Sequence, residues 1–165
     1  MAGAGKSSIG KKLAKHLSFD FVDSDLIIEK KYGESLQNIL NEKGNKKFEE
    51  IEEGALLSVQ FDHIVLATGG GAIESENNRR CLASNGFVIY LETSIEDQVL
   101  RAKPSKKRPL LQNVEPKKKL QELMQKRKSL YESIADTIVN TEGHKPHSLA
   151  QQVIGNFDAH RNSKP

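Results

Sequence analysis

The chain has 165 residues, enough for one domain that buries roughly two thirds of its unfolded surface. Its 25 basic and 22 acidic residues leave a net charge of only +3, which argues against a general nucleic-acid binder. Cys81 is the sole cysteine, excluding an internal disulfide framework and a cysteine-built zinc site, and the five histidines show no strong metal-ligand spacing. No signal-peptide pattern and no apolar run near ~18 residues is present. A cytoplasmic protein with no membrane or nucleic-acid partner, acting as a monomer, is the expectation.

The chain opens on Gly3-Ala4-Gly5-Lys6-Ser7-Ser8, the core of a phosphate loop, G-x-x-x-x-G-K-[ST]. Backbone N–H groups of such a loop cradle phosphate oxygens, Lys6 reaches the β- and γ-phosphates, and the Ser7 hydroxyl ligates Mg²⁺. Ile9, Leu13 and Leu17 have helical spacing, so a helix over 5–17 follows the loop and points its positive end at the phosphates. The pattern's first glycine would precede Met1, and so would the strand that normally feeds the loop. An incomplete start is therefore expected.

Beyond the loop, strand and helix patterns alternate. Phe19–Val22 reads as a short strand, and 24–31, 35–43 and 46–59 read as helices. His63–Ala67 is a buried-strand run stopped by Thr68 and the triple glycine Gly69-Gly70-Gly71. A helix at 76–85, a strand at 87–91 and a helix at 94–102 come next. Residues 103–114 are basic, carry Pro104 and Pro109, and read as a mobile lid. Pro116 suits the first turn of a helix reaching about 135. A strand at 137–140 and a helix at 146–156 complete a single domain over 1–156, leaving 157–165 as a polar, frayed tail. The alternation predicts a three-layer α/β fold with a parallel sheet and ligands at the carboxyl ends of the strands.

The candidate chemistry gathers at those ends. Asp23 and Asp25 follow the first visible strand. As strand-end residues two apart they point the same way, so one can serve Mg²⁺ and the other an acceptor hydroxyl. The pair also suits an acidic helix cap. Three glycines after a buried strand suggest close backbone approach to a ligand, or a permissive turn. Arg108, in KKRPLL of the lid, can neutralise a transferring phosphoryl group, whereas Lys106 and Lys107 read as a solvated charge run. Arg127 can clamp an anionic substrate bidentately, although alone it is an ordinary helix-surface arginine.

Taken together, GAGKS, FVDSD, IVLATGGG, KKRPLL and KRKSLYESIAD resemble shikimate kinase through nearly the whole chain. The resemblance implies the P-loop fold of nucleoside monophosphate kinases, with strand order 2-3-1-4-5, strand 1 missing here, and a lid. It implies ATP-dependent phosphorylation of the shikimate 3-hydroxyl with Mg²⁺, on the route to chorismate and the aromatic amino acids. By the same resemblance Gly3, Ala4, Gly5, Lys6, Ser7 and Ser8 bind ATP, and Ser7 and Asp23 serve the metal. Asp25 meets the shikimate hydroxyls as candidate base, and Gly69, Gly70 and Gly71 run along the ring. Arg127 takes the carboxylate, Arg101 lies against adenine, Arg108 sits on the phosphates, and Pro146 belongs to an adenine-side loop.

One departure stands out. The family pattern F-R-x-x-E appears as Phe48-Glu49-Glu50-Ile51-Glu52, so Glu49 replaces the second carboxylate clamp with opposite charge. Lys46 or Lys47 would have to compensate from the preceding turn. A sugar-acid kinase of the same fold, or a non-catalytic nucleotide-binding relic, remains open as an alternative.

Overall fold

The computed structural model describes residues 4–101 and 116–163. Gly3, the predicted lid at 103–114 and Arg108 within it lie outside the described residues. The elements follow one another as α1 (Lys6–Leu17), β1 (Asp20–Asp23), α2 (Ser24–Tyr32), α3 (Leu36–Leu57) and β2 (Ile64–Ala67). A 3₁₀ turn (Ala72–Glu74) leads to α4 (Glu76–Asn85), β3 (Ile89–Glu92) and α5 (Ile95–Arg101), and then come α6 (Pro116–Ile134), β4 (Thr137–Asn140) and α7 (Pro146–Ser163).

The strands pair in parallel as two couples. Asp20 to Asp23 align with Ile64 to Ala67, and Ile89 to Glu92 align with Thr137 to Asn140. The predicted order 2-3-1-4-5 therefore maps β1 and β2 onto 2-3, and β3 and β4 onto 4-5. Among the described residues no strand joins the couples. A cavity of about 140 Å³ separates them, lined by Val65, Leu66 and Ala67 of β2 and by Ile89, Tyr90 and Leu91 of β3.

Apolar spacing decides how the helices dock. Ile9 and Leu13 of α1 meet Leu91, Val139, and Leu149, Ala150 and Val153 of α7 in one core cluster. Ile28 of α2 packs with Leu36, Ile39, Ile51 and Ala55 of α3 in another. The two helices predicted at 35–43 and 46–59 meet within α3 at a kink at Gly44, whose φ of 76° and ψ of 167° lie outside the helical region. That conformation costs glycine little, so the break falls where the sequence offers it.

The C-terminal region differs from expectation. Instead of fraying after 156, α7 continues to Ser163. Phe157 meets the Phe87 ring edge-on at 5.6 Å, His160 lies 4.3 Å from the same ring, and Asp158 pairs with His16 at 3.4 Å. These contacts come from distant parts of the chain, which is why local polarity misjudged the segment.

Candidate active site

The phosphate loop turns into α1 through Gly5, whose φ of 87° is left-handed and strained for any residue with a Cβ. Ala4 is buried in the core, anchoring the loop from below. Gly5, Lys6, Ser7 and Ser8 then line a cavity of about 510 Å³ at the carboxyl ends of β1 and β2. The Ser7 hydroxyl donates to Asp23 Oδ2 at 3.1 Å, joining the two predicted metal-serving residues across the cavity floor.

Asp23 and Asp25 do not both project from a strand end. Asp23 closes β1 and caps α2, its Oδ1 accepting from the Asp25 N–H at 3.1 Å, while Asp25 sits in the first helical turn. The helix-cap reading of the D-x-D motif is the observed one, and the capping geometry turns the chain so that Asp23 and Asp25 still line the same cavity. Burial, then the neighbouring Asp23 carboxylate, pushes the Asp25 carboxyl up to about 6, with Lys6 opposing.

The triple glycine reaches the cavity beside them. Gly69 donates its N–H to the buried Ser24 hydroxyl at 3.0 Å, and Gly70 accepts from the Tyr131 hydroxyl at 2.8 Å. Here small size matters rather than dihedral freedom. A Cβ on Gly69 would stand 2.5 Å from Asp25 Oδ1 and 3.0 Å from Glu52 Oε1, and one on Gly71 would stand 2.9 Å from Glu52 Oε2. The glycines leave room for two carboxylates that crowd the loop. Glu52 has no hydrogen-bond or ion-pair partner among the described residues. Burial, and then Asp25, raises its carboxyl to about 7 despite Arg127.

Arg127 enters from α6, largely shielded from solvent. Its Nε and one terminal nitrogen each lie 2.7 Å from Glu74 Oε1, and Lys126 takes the other Glu74 oxygen. Burial alone would raise the Glu74 carboxyl, but hydrogen bonds from Lys126 and Arg127 outweigh it and hold it below the ordinary carboxylate range. Tyr131 stacks on Tyr90, with ring centroids 4.9 Å apart, and so fixes α6 against β3.

Glu49 lines the same cavity as Arg127, as the F-x-x-x-E alignment expects, while Lys46 and Lys47 do not. Lys47 instead pairs with Glu50 on the surface at 2.6 Å, one turn along the helix, so neither lysine replaces the missing clamp. Pro146 opens α7 and does not line the cavity; Arg101 closes α5, and its side chain lies outside the described residues. Glu74 and Tyr131 are among the cavity residues that were not singled out from sequence. Glu74 follows the triple glycine at a spacing that carries no motif, and Tyr131 is one aromatic in an amphipathic helix.

A shikimate kinase family model matches residues 2–157. The chain belongs to the shikimate kinase family. Shikimate kinase from Vibrio parahaemolyticus is 43% identical over 153 residues, covering 92% of this chain and 89% of that protein. The enzyme from Aliivibrio fischeri is 42% identical with the same coverage. In three dimensions, a shikimate kinase from Acinetobacter baumannii in complex with shikimate superposes with a TM-score of 0.91 at 37% identity, covering 99% of this chain and 90% of that one. The Bacteroides thetaiotaomicron shikimate kinase gives 0.84 at 27% identity, covering 94% and 93%. The P-loop α/β fold expected from sequence is therefore the fold of this family, and the comparisons give the sugar-acid kinase and relic alternatives no support.

Proposed function

We propose that this chain transfers the γ-phosphoryl group of ATP to the 3-hydroxyl of shikimate, in the cytoplasm, as a step toward chorismate and the aromatic amino acids. The observation that carries the reading is one cavity lined by both a phosphate loop and an acceptor set: Lys6 and Ser7 on one side, Asp25, Gly69 to Gly71 and Arg127 on the other.

On the donor side, the start of α1 directs N–H groups and a partial positive charge at phosphate oxygens. Lys6 lies where charge builds on the transferring group, and Arg108 joins it by family resemblance. Ser7 and Asp23 would hold Mg²⁺. Their oxygen donors suit a hard cation, and among the described residues no group of three His, Cys, Asp or Glu side chains forms an alternative cage. When bound, the ion neutralises phosphate charge.

On the acceptor side, Asp25 receives the proton of the attacking hydroxyl. Its carboxyl, raised to about 6, is ionised at pH 7 yet more basic than an ordinary aspartate. Arg127 orients the substrate carboxylate, and the glycine loop lies along the ring. Arg101 and Pro146 are assigned to the adenine side by the family resemblance.

ADP release measured with shikimate, with gluconate and with no acceptor tests the proposal. Release that depends on shikimate and disappears in K6A supports it. Equal rates with and without shikimate overturn it.

A further inference from the structure

The cavity has a charge problem. Among its described lining residues are five carboxylates, Asp23, Asp25, Glu49, Glu52 and Glu74, against four cations, Lys6, Lys119, Lys126 and Arg127. Lys119 pairs with Glu122 at 3.5 Å, and Lys126 and Arg127 are both engaged by Glu74. Glu74 is held rigidly for this role. It ends the 3₁₀ turn fixed by the Glu74 N–H bond to the Gly71 carbonyl at 2.9 Å, and only 17% of its side chain is exposed. Arg127 is likewise 11% exposed. Two of the guanidinium's N–H groups, those on its Nε edge, are therefore spent on an internal carboxylate. A planar edge of this kind is what a substrate carboxylate requires.

We propose that Glu74 is a specificity-determining residue that occupies Arg127 in the free protein as an internal stand-in for the acceptor's carboxylate, so that acceptor affinity is set by competition between the two anions. The proposal rests on the reading of Arg127 as the shikimate carboxylate clamp. When the acid binds, its carboxylate takes N–H donors from Glu74, and Lys126 retains the displaced glutamate. An acceptor without the negative charge gains nothing from Arg127, because Glu74 already satisfies it. Competition of this sort discriminates for the anion while holding its affinity down.

E74Q tests this with little change of shape, since the amide oxygen still accepts from Arg127 but no longer neutralises it. The KM for shikimate should fall about tenfold, as expected for one charge-assisted contact made available, and by more than any change in kcat. The KM for ATP should stay within about twofold. The gain should vanish in the E74Q/R127A double variant and should be absent with the methyl ester of shikimate. A raised shikimate KM in E74Q would make Glu74 an orienting ally of Arg127 and overturn the competition; an unchanged KM overturns it as well. A gain that persists without Arg127 reduces the effect to diffuse charge and also overturns it. If R127A alone leaves the shikimate KM unchanged, the clamp reading falls and takes this proposal with it, while shikimate turnover itself still stands. A wild-type chain that phosphorylates no shikimate removes both. Should E74Q fail to fold, the wild-type protein supplies an independent readout. The Arg127 Nε–H resonance should shift on saturation with shikimate and not with its methyl ester, and an unmoved resonance overturns the proposal.

Discussion

The donor and acceptor sides of the cavity are built from different materials. The donor side is mostly backbone, the turn at Gly5 and the start of α1, joined to the end of β1 by the side-chain bond from Ser7 to Asp23. The acceptor side is mostly side chains, brought by α2, α3, the 3₁₀ turn and α6 to one place. Backbone cradles tolerate few changes because their geometry depends on a handful of torsions. Side-chain pockets can change charge while the fold persists, and Glu49 and Glu74 both add negative charge to this one.

The largest expected effect breaks the donor side. K6A should lower kcat by about a thousandfold, in line with removal of a preorganised charge from the transition state, while the circular dichroism spectrum stays unchanged. Near-normal turnover would show that the loop does not serve phosphoryl transfer.

Next comes the junction of the two sides. D25N should lower kcat by about a hundredfold or more, with ATP affinity by calorimetry changed far less. In the wild type, kcat/KM should rise with pH through about 6 as Asp25 loses its proton, because the ionised form is the base. Loss of that limb in D25N would sharpen the assignment; a limb that survives would move it to another group.

The third effect concerns stability on the acceptor side. Glu52 is raised to about 7, so the folded state holds its proton more tightly than the unfolded chain does. Its contribution is favourable at low pH and is lost as pH rises from the ordinary glutamate value toward 7. E52Q should therefore stabilise the ligand-free protein at pH 8 by about 2 kcal/mol, some thirtyfold in the folding equilibrium, and change little at pH 4. Urea melts at both pH values decide it; an equal shift at both would mean that the carboxyl is not penalised by burial.

The smallest effect is at Glu49. Replacing it by arginine should lower the shikimate KM about tenfold by exchanging repulsion for a charge-assisted pair opposite Arg127, with the ATP KM almost unmoved. An unaltered shikimate KM would mean that Glu49 faces solvent rather than substrate.

Much of the fold was legible because its signals are local. Apolar spacing in α1, the buried-strand pattern at His63–Ala67 and Pro116 at a helix start each act within a few residues, and α1, β2 and α6 formed where those signals stood. The phosphate loop was legible for the same reason: its chemistry is carried by consecutive backbone groups. The resemblance to shikimate kinase extended that reach to Asp25 and Arg127, although the strand-end picture of Asp25 gave way to a helix cap.

What the sequence could not supply is convergence over long separations. Glu74 and Arg127 are 53 positions apart, and nothing in either local pattern announces their pairing. Asp25 and Glu52 both crowd the bare glycines of the loop after β2, and their raised proton affinities arise mainly from burial that no single segment creates. The ordered end of α7 likewise depends on Phe87, met across the core. The sequence by itself determined the elements, the phosphate loop and the family, since those rest on short-range backbone geometry and on motif order. The tertiary structure alone decided which charges face one another in the acceptor pocket, because electrostatic interaction depends on distance and burial in space rather than on separation along the chain.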